Sequence, residues 1–375
     1  MIEVTLGAVA HGGFVVARAE GKVIFTTGGL PGERVVVEVT ERGKRFDRGR
    51  VVEVLDPAPG RVEPPCPIAG ECGGCDWQHA DAATQLDLKT AVLAEQLQRL
   101  AGVAWEGRIE PVDGGLTRWR TRLRFAADEK GRLGFRARRS HAVVALPDSG
   151  CLIADDPPYG EAAKVAVPGE EVSVAVATED ATSVGPRMAI GPDPVRQRVG
   201  ERWYEVSATG FWQVHREAPE VLTRAVLDGL RPEQGERALD LYCGVGLFAG
   251  ALVDAGCSVL GIEFSRPAIV HARRNVPEAR FIAAPLERAL RDLPSRVDLV
   301  VLDPPRKGAG EKVVRAVAAT GPRRIAYVAC DPAALARDLA TFLDEGYGIE
   351  SIRGFDLFPM THHIEAVAIL TAPVG

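Results

Sequence analysis

The feature that most constrains this chain is a series of five apolar segments in its C-terminal part, with helical stretches between them. They read ALDLY (238–242), SVLGIEF (258–264), VDLVVLD (297–303), RRIAYVAC (323–330) and IEAVAIL (364–370). Short apolar runs of this kind are strands buried on both faces, and the intervening helices supply the two covering layers. The pattern predicts an α/β fold with a doubly wound parallel sheet. Such sheets bind ligands beyond the carboxyl ends of their strands, so the chemistry is sought in the residues that close each segment.

The first segment runs into LDLYCGVGLFAG (239–250), where Gly244 and Gly246 let the backbone approach a ligand, and Glu263 closes the next strand. Two cofactor classes share this layout. The spacing Gly244, Gly246, Ala249 suits a dinucleotide and an NAD-dependent oxidoreductase. Asp240 before the loop and Glu263 on ribose hydroxyls suit S-adenosylmethionine. Later strand ends discriminate. Asp303 closes VVLDPPRKG, an acceptor stiffened by two prolines. Cys330 stands where a strand stops and Asp331-Pro332 open a helix, whose dipole favours a thiolate nucleophile. Glu365 lies among aliphatic neighbours in HHIEAVAIL, where desolvation makes a carboxylate a stronger base; His362 and His363 beside it are positioning or structural. A thiolate adding to uracil C6, methylation at C5 and removal of the C5 proton would give Cys330, Asp303 and Glu365 one purpose. Oxidoreductase chemistry gives them none. A non-catalytic RNA-binding protein would leave the occupied cofactor and nucleophile positions unexplained.

The N-terminal part differs. Strand-like runs at 2–9, 14–18, 23–26, 34–41 and 49–55 between glycine turns predict a small β-barrel of the oligonucleotide-binding (OB) kind over residues 1–57. The proline-rich DPAPGRVEPPCP (56–67) marks a boundary, and a helix is expected over 81–100, its Leu86, Leu93, Leu97 and Leu100 a packing stripe. Residues 58–210 read as a central mixed α+β region and 211–375 as the catalytic domain. Cys66, Cys72 and Cys75 follow C-x5-C-x2-C, and with distant Cys151 they could supply four thiolates to zinc or to an iron–sulfur cluster, with His79 as a substitute ligand. Cys243 and Cys257 read as structural.

The net charge of −6, from 45 Lys+Arg and 51 Asp+Glu, does not argue against a nucleic-acid partner, because the basic residues are segregated. They concentrate at 42–50 and at 118–139, the latter interleaved with Trp119, Phe125 and Phe135, the composition of a phosphate-binding, base-stacking track. Phe211 and Trp212 are further stacking candidates. No run of about 18 apolar residues and no basic-flanked apolar N-terminus occurs, which predicts neither a membrane span nor a secretory signal and so a cytoplasmic protein. No obligate protein partner is implied.

Taken together, these motifs resemble the RNA 5-methyluridine methyltransferases, S-adenosylmethionine-dependent (uracil-5-)-methyltransferases of rRNA and tRNA. GFVVARAEGKVIFTTGGLPGERVVVEV resembles their TRAM domain, an RNA-binding β-barrel, and CPIAGECGGCDWQH with Cys151 the [4Fe–4S] motif of one branch. GFWQVH resembles G-F-x-Q-x-N, which implies that Gln213 contacts the cofactor. The resemblance likewise implies cofactor roles for Tyr242 and Glu263, and identifies Asp303 with the acid of D-P-P-R, Cys330 with the nucleophile and Glu365 with the base of the closing motif. It implies a class I methyltransferase fold, an iron–sulfur cluster outside the reaction centre, and an RNA substrate, 23S rRNA ahead of tRNA. Two positions depart from the pattern: S-C-N-P reads Ala329-Cys330-Asp331-Pro332, and G-F-x-Q-x-N ends in His215. Asp331 sets a negative charge beside the thiol, opposing the helix dipole.

Overall fold

The computed structural model describes residues 1–373. Six strands open the chain: β1 (Ile2–Thr5), β2 (Val9–Ala10), β3 (Phe14–Ala19), β4 (Lys22–Thr27), β5 (Arg34–Arg42) and β6 (Phe46–Asp56). They form one sheet in the order β1-β5-β6-β4-β3-β2. Its two ends are halves of a single bent segment: β1 pairs with β5, β2 pairs with β3, and Gly7 N–H donates to Val16 O at 2.7 Å between them. The sheet therefore curls around Val4, Leu6, Val15, Ala17, Ile24, Val35 and Val37, the inward residues of alternating strands.

Helix α1 (Ala82–Ala101) follows, capped by Asp81, whose side chain accepts Thr84 N–H, and ended by Gly102 in the left-handed region at φ 67°. After β7 (Ile109–Glu110) come β8 (Arg122–Ala127), β9 (Leu133–Arg136), β10 (Val143–Ala145), α2 (Tyr159–Val165), β11 (Glu171–Val176), β12 (Ala181–Val184) and β13 (Ala189–Ile190). β8 to β13 make an antiparallel sheet, β10-β9-β8-β11-β12-β13, with α2 packed on Leu123, Phe125 and Val172. A hairpin of β14 (Val195–Val199) and β15 (Arg202–Val206) leads on.

The C-terminal layers comprise α3 (Ala218–Leu230), β16 (Arg237–Leu241), α4 (Leu247–Asp254), β17 (Ser258–Glu263), α5 (Arg266–Asn275), β18 (Arg280–Ala283), α6 (Leu286–Ala289), β19 (Leu299–Leu302), α7 (Glu311–Ala319), β20 (Arg324–Ala329), α8 (Pro332–Asp344), β21 (Gly348–Phe355) and β22 (Glu365–Thr371). The sheet order is β18-β17-β16-β19-β20-β22-β21-β7. From β18 to β20 all pairs are parallel, as the alternation predicts. The expected all-parallel sheet ends there, because β22 runs antiparallel to both β20 and β21. Only residues 356–364 join β21 to β22, with no helix, and a parallel return needs a longer crossover. β7 adds a parallel edge next to β21, and α1 packs with α8 in the same core, so residues 82–110 belong to the catalytic layers. No helix among the described residues is long and apolar enough to cross a membrane.

Candidate active site

A cleft of about 1270 Å³ lies along the carboxyl ends of β16, β17, β19 and β20, where a doubly wound sheet binds its ligands. Gln213, Tyr242, Gly244, Glu263, Asp303, Cys330 and Glu365 all line it. Gly246 does not. It caps α4 at φ 94°, and a Cβ there would stand 3.2 Å from Val276, so its glycine serves helix packing rather than ligand approach.

One end of the cleft is shaped by backbone. Gly244 has φ 52°, and a Cβ added to it would meet nothing within 4 Å, so the loop presents bare main chain to the cleft. Glu263 braces this loop: one carboxylate oxygen accepts Gly244 N–H at 3.2 Å, the other Ser265 N–H at 2.7 Å. Remaining lone pairs can accept from ligand hydroxyls. Asp240 lies beneath, fully buried, with Oδ2 accepting Ala249 N–H at 2.8 Å and Oδ1 unpartnered. It orders the loop and does not reach the cleft. Tyr242 holds a left-handed φ of 65°, secured by its N–H to Ile262 O at 2.9 Å.

At the other end, Cys330, Asp303 and Glu365 converge. Burial pushes the Asp303 carboxyl up to about 7, with Glu263 adding to the rise, and Gln213 Nε2 donates to its Oδ2 at 3.4 Å. Burial, and then Asp303, hold Glu365 well above the usual carboxylate range, and Arg306 opposes them. The Cys330 thiol is pushed up to about 12 by burial, Glu365 and Asp303. The helix dipole expected to favour a thiolate is thus outweighed, in the direction expected of the negative charge at Asp331: burial and the nearby carboxyls hold the sulfur as a thiol. Sequence reasoning missed Arg306, although it follows Asp303-Pro304-Pro305 directly. It lines the cleft and sets Nη2 3.3 Å from His363 Nε2.

An uncharacterized RNA methyltransferase of Streptomyces coelicolor is 45% identical over 98% of this chain and 92% of its own length. The 23S rRNA (uracil(1939)-C(5))-methyltransferase RlmD of Alkalilimnicola ehrlichii is 32% identical over 98% of this chain and 96% of its own. The chain belongs to the RNA (uracil-5-)-methyltransferase family. Residues 290–372 match the tRNA (Uracil-5-)-methyltransferase family and residues 1–52 the TRAM domain. The fold is similar to that of the Pyrococcus abyssi tRNA (uracil-54, C5)-methyltransferase, solved with S-adenosyl-L-homocysteine, at TM-score 0.76 and 24% identity over 99% of this chain and 100% of that one.

In this RNA methyltransferase the two basic stretches divide. At the β5–β6 tip Arg42, Lys44 and Arg45 are exposed, whereas Arg48 and Arg50 are matched by Glu41 and Glu38 across the hairpin. In the second stretch Trp119 and Phe125 are core residues, 1% and 0% exposed, which corrects their assignment as stacking aromatics. Trp119 stacks on His215 instead, with ring centroids 5.6 Å apart. Burial, and then Arg216, lower the pKa of that histidine to about 4. Arg122 is buried and donates to Ser207 O and Ala208 O. Arg120, Arg124, Arg136 and half-buried Phe135 line the cleft, and the buried Trp119 contributes to its floor. Trp212 is buried, while Phe211 is 72% exposed at the cleft wall.

Cys66, Cys72, Cys75 and Cys151 come together on one small pocket, with Arg120 beside them. No group of three or more His, Cys, Asp or Glu among the described residues has metal-holding geometry. Burial raises the thiol pKa of Cys72, Cys75 and Cys151, and neighbouring cysteines add to each rise. His79 is not part of this set. It is buried against the N-terminal sheet, Nε2 3.4 Å from Gly29 O. Cys243 and Cys257 are buried, as expected of packing residues.

Proposed function

We propose that the protein methylates C5 of a uridine in RNA, with S-adenosylmethionine as methyl donor and Cys330 as covalent nucleophile. The observation that carries this reading is the convergence of Cys330, Asp303 and Glu365 at one end of a cleft whose other end is the open Gly244 loop braced by Glu263. S-adenosylmethionine, held along Tyr242, Gly244 and Glu263, would supply a methyl group on a positive sulfur. Gln213 and Asp303 orient the reactants from the cleft wall.

Uracil C5 is a poor nucleophile until a thiolate adds to C6. The Cys330 Sγ–C6 bond forms as the C5=C6 π pair moves onto C5, and that pair takes the methyl group. Glu365 then removes the remaining C5 proton, the C5=C6 bond re-forms, and the sulfur leaves with its electron pair. A carboxylate with a raised pKa is a strong base once ionised, which suits Glu365 to this step. A uridine must leave its stack to enter the cleft, and stacking on the exposed Phe211 together with phosphate contacts at the exposed β5–β6 basic tip would offset that cost.

The four converging cysteines are read as holding a [4Fe–4S] cluster, with zinc as the alternative, which would tie the 66–75 segment to Cys151. The likeness to an enzyme of 23S rRNA favours rRNA as substrate over tRNA. Labelled S-adenosylmethionine incubated with unmodified RNA, followed by digestion to nucleosides, should give 5-methyluridine, and its absence would sink the reading. Sequencing the product assigns the RNA. Iron and sulfide analysis after anaerobic purification decides the metal.

A further inference from the structure

Asp331, the residue after Cys330, meets a residue from the opposite end of the chain. His11, in the turn between β2 and β3, reaches from the barrel and sets its Nε2 3.1 Å from Asp331 Oδ2. Facing a carboxylate, that ring nitrogen carries the hydrogen. The other oxygen, Oδ1, accepts Ala334 N–H at 2.8 Å and caps α8. Both oxygens of Asp331 are therefore engaged, one by the helix and one by the barrel.

The turn that carries His11 is itself fixed. Gly13 lies so close to His362 that a Cβ would stand 2.8 Å from that residue's own Cβ, and Trp77 Nε1 donates to Gly13 O at 3.4 Å. The N-terminal sheet, the cysteine segment and the catalytic layer thus meet at one point.

We propose that His11 is a positioning residue for the nucleophile: by holding Asp331 Oδ2 it draws that carboxylate's charge toward the barrel and away from Cys330, so that seating of the barrel governs how readily the thiolate forms. The inference rests on the reading of Cys330 as nucleophile. The charged groups facing the sulfur are Glu365 on β22, Asp303 and Arg306 after β19, and Asp331 itself. Of these, Asp331 is the one held from another domain. Burial works to raise its pKa, but the bonds from His11 and Ala334, with Arg337 on α8, bring it below the usual carboxylate range. Its negative charge is thus permanent at neutral pH, and where that charge sits matters to the thiol.

The test is the rate of Cys330 alkylation by iodoacetamide in the full chain across about pH 7–9, read on the Cys330 peptide by mass spectrometry. His11→Ala should lower that rate by about tenfold at each pH, equivalent to displacing the profile by about one pH unit, and lower kcat at neutral pH, with KM for RNA unchanged. His11→Gln, which retains a donor for Asp331, should restore part of the parent profile. In an Asp331→Asn background, removing His11 should have no effect. A His11→Ala profile superimposed on the parent, an equal shift in both backgrounds, or a raised KM for RNA with unchanged alkylation would each overturn the proposal. Cys330→Ala separates this from the functional reading: 5-methyluridine formed without Cys330 sinks that reading, whereas an inactive Cys330→Ala beside an unshifted His11→Ala sinks only the role of His11.

Discussion

Asp76 Oδ2 lies 2.5 Å from His362 Nδ1 and also accepts the backbone N–H of His362 at 3.0 Å. Burial, and then Arg138, lower the pKa of His362 to about 4, so near neutral pH this is a neutral N–H donated to a carboxylate. The pair ties the residue after Cys75 to the segment that delivers Glu365. The same segment is held by Asp76 N–H and Trp77 N–H to Met360 O, at 2.8 and 3.0 Å, and by Lys89 Nζ to Phe358 O at 3.0 Å.

Asp76→Ala should therefore loosen residues 358–363 and cost kcat more than substrate affinity. A buried N–H left without its acceptor costs about 1–3 kcal/mol, so a fall in kcat of roughly tenfold is expected. Steady-state kinetics with RNA and cofactor varied separately checks the split. An unchanged kcat would show that the tie is dispensable to the chemistry.

Glu365→Gln should stall the reaction after methyl transfer. The amide cannot take the C5 proton, so the thioether to C6 persists, and turnover should fall by about 10²–10⁴-fold. Denaturing electrophoresis of enzyme with labelled RNA should then show a covalent complex. Cys330→Ala/Glu365→Gln should abolish the complex. Loss of turnover with no trapped species would place Glu365 before the methyl step.

The sequence carried the strand ends well, because apolar runs with a polar residue at the exit fix both the strand and the ligand edge. The positions of Asp303, Cys330 and Gly244 on the cleft were legible for that reason, whereas Glu365 reaches it from the start of β22, because that strand runs antiparallel. Contacts over long sequence separation were not legible. His11 with Asp331 and Asp76 with His362 pair residues 320 and 286 positions apart. Trp119 and Phe125 misled because an Arg-rich strand resembles a nucleic-acid track, yet β8 buries Phe125 under the middle sheet and α2, and Trp119, just before that strand, packs on Ile153, Met360 and His215. β22 looked parallel because burial on both faces is the same in either direction; only the length of its connection decides.

The pH dependence of methylation follows from the Cys330 thiol, pushed up to about 12 by burial, Glu365 and Asp303. Below that value the thiolate fraction rises tenfold per pH unit, so log kcat/KM should climb with a slope near +1 through neutrality and show no plateau by about pH 8. A single-turnover series in mixed buffers at constant ionic strength tests this. A plateau beginning near pH 6 would mean that a thiolate is already present in the free enzyme.

Asp240 offers a stability test independent of catalysis. Burial raises its carboxyl from the usual 3.8 to about 8, with Asp303 and Glu263 contributing, against the Ala249 N–H that opposes them. The folded protein then keeps a proton that the unfolded chain releases above 3.8. This group's contribution is complete below the unfolded value and is lost as pH rises through the folded one. Asp240→Asn retains an oxygen for Ala249 N–H but cannot ionise. Relative to the parent it should therefore gain stability as pH rises from about 5 to about 8, by on the order of 1.4 kcal/mol per pH unit. Urea unfolding at several pH values in that window measures the difference. A constant offset would mean that the buried oxygen without a partner is already ionised at the acid end, and that the loop under the cofactor cleft tolerates a charge in its core.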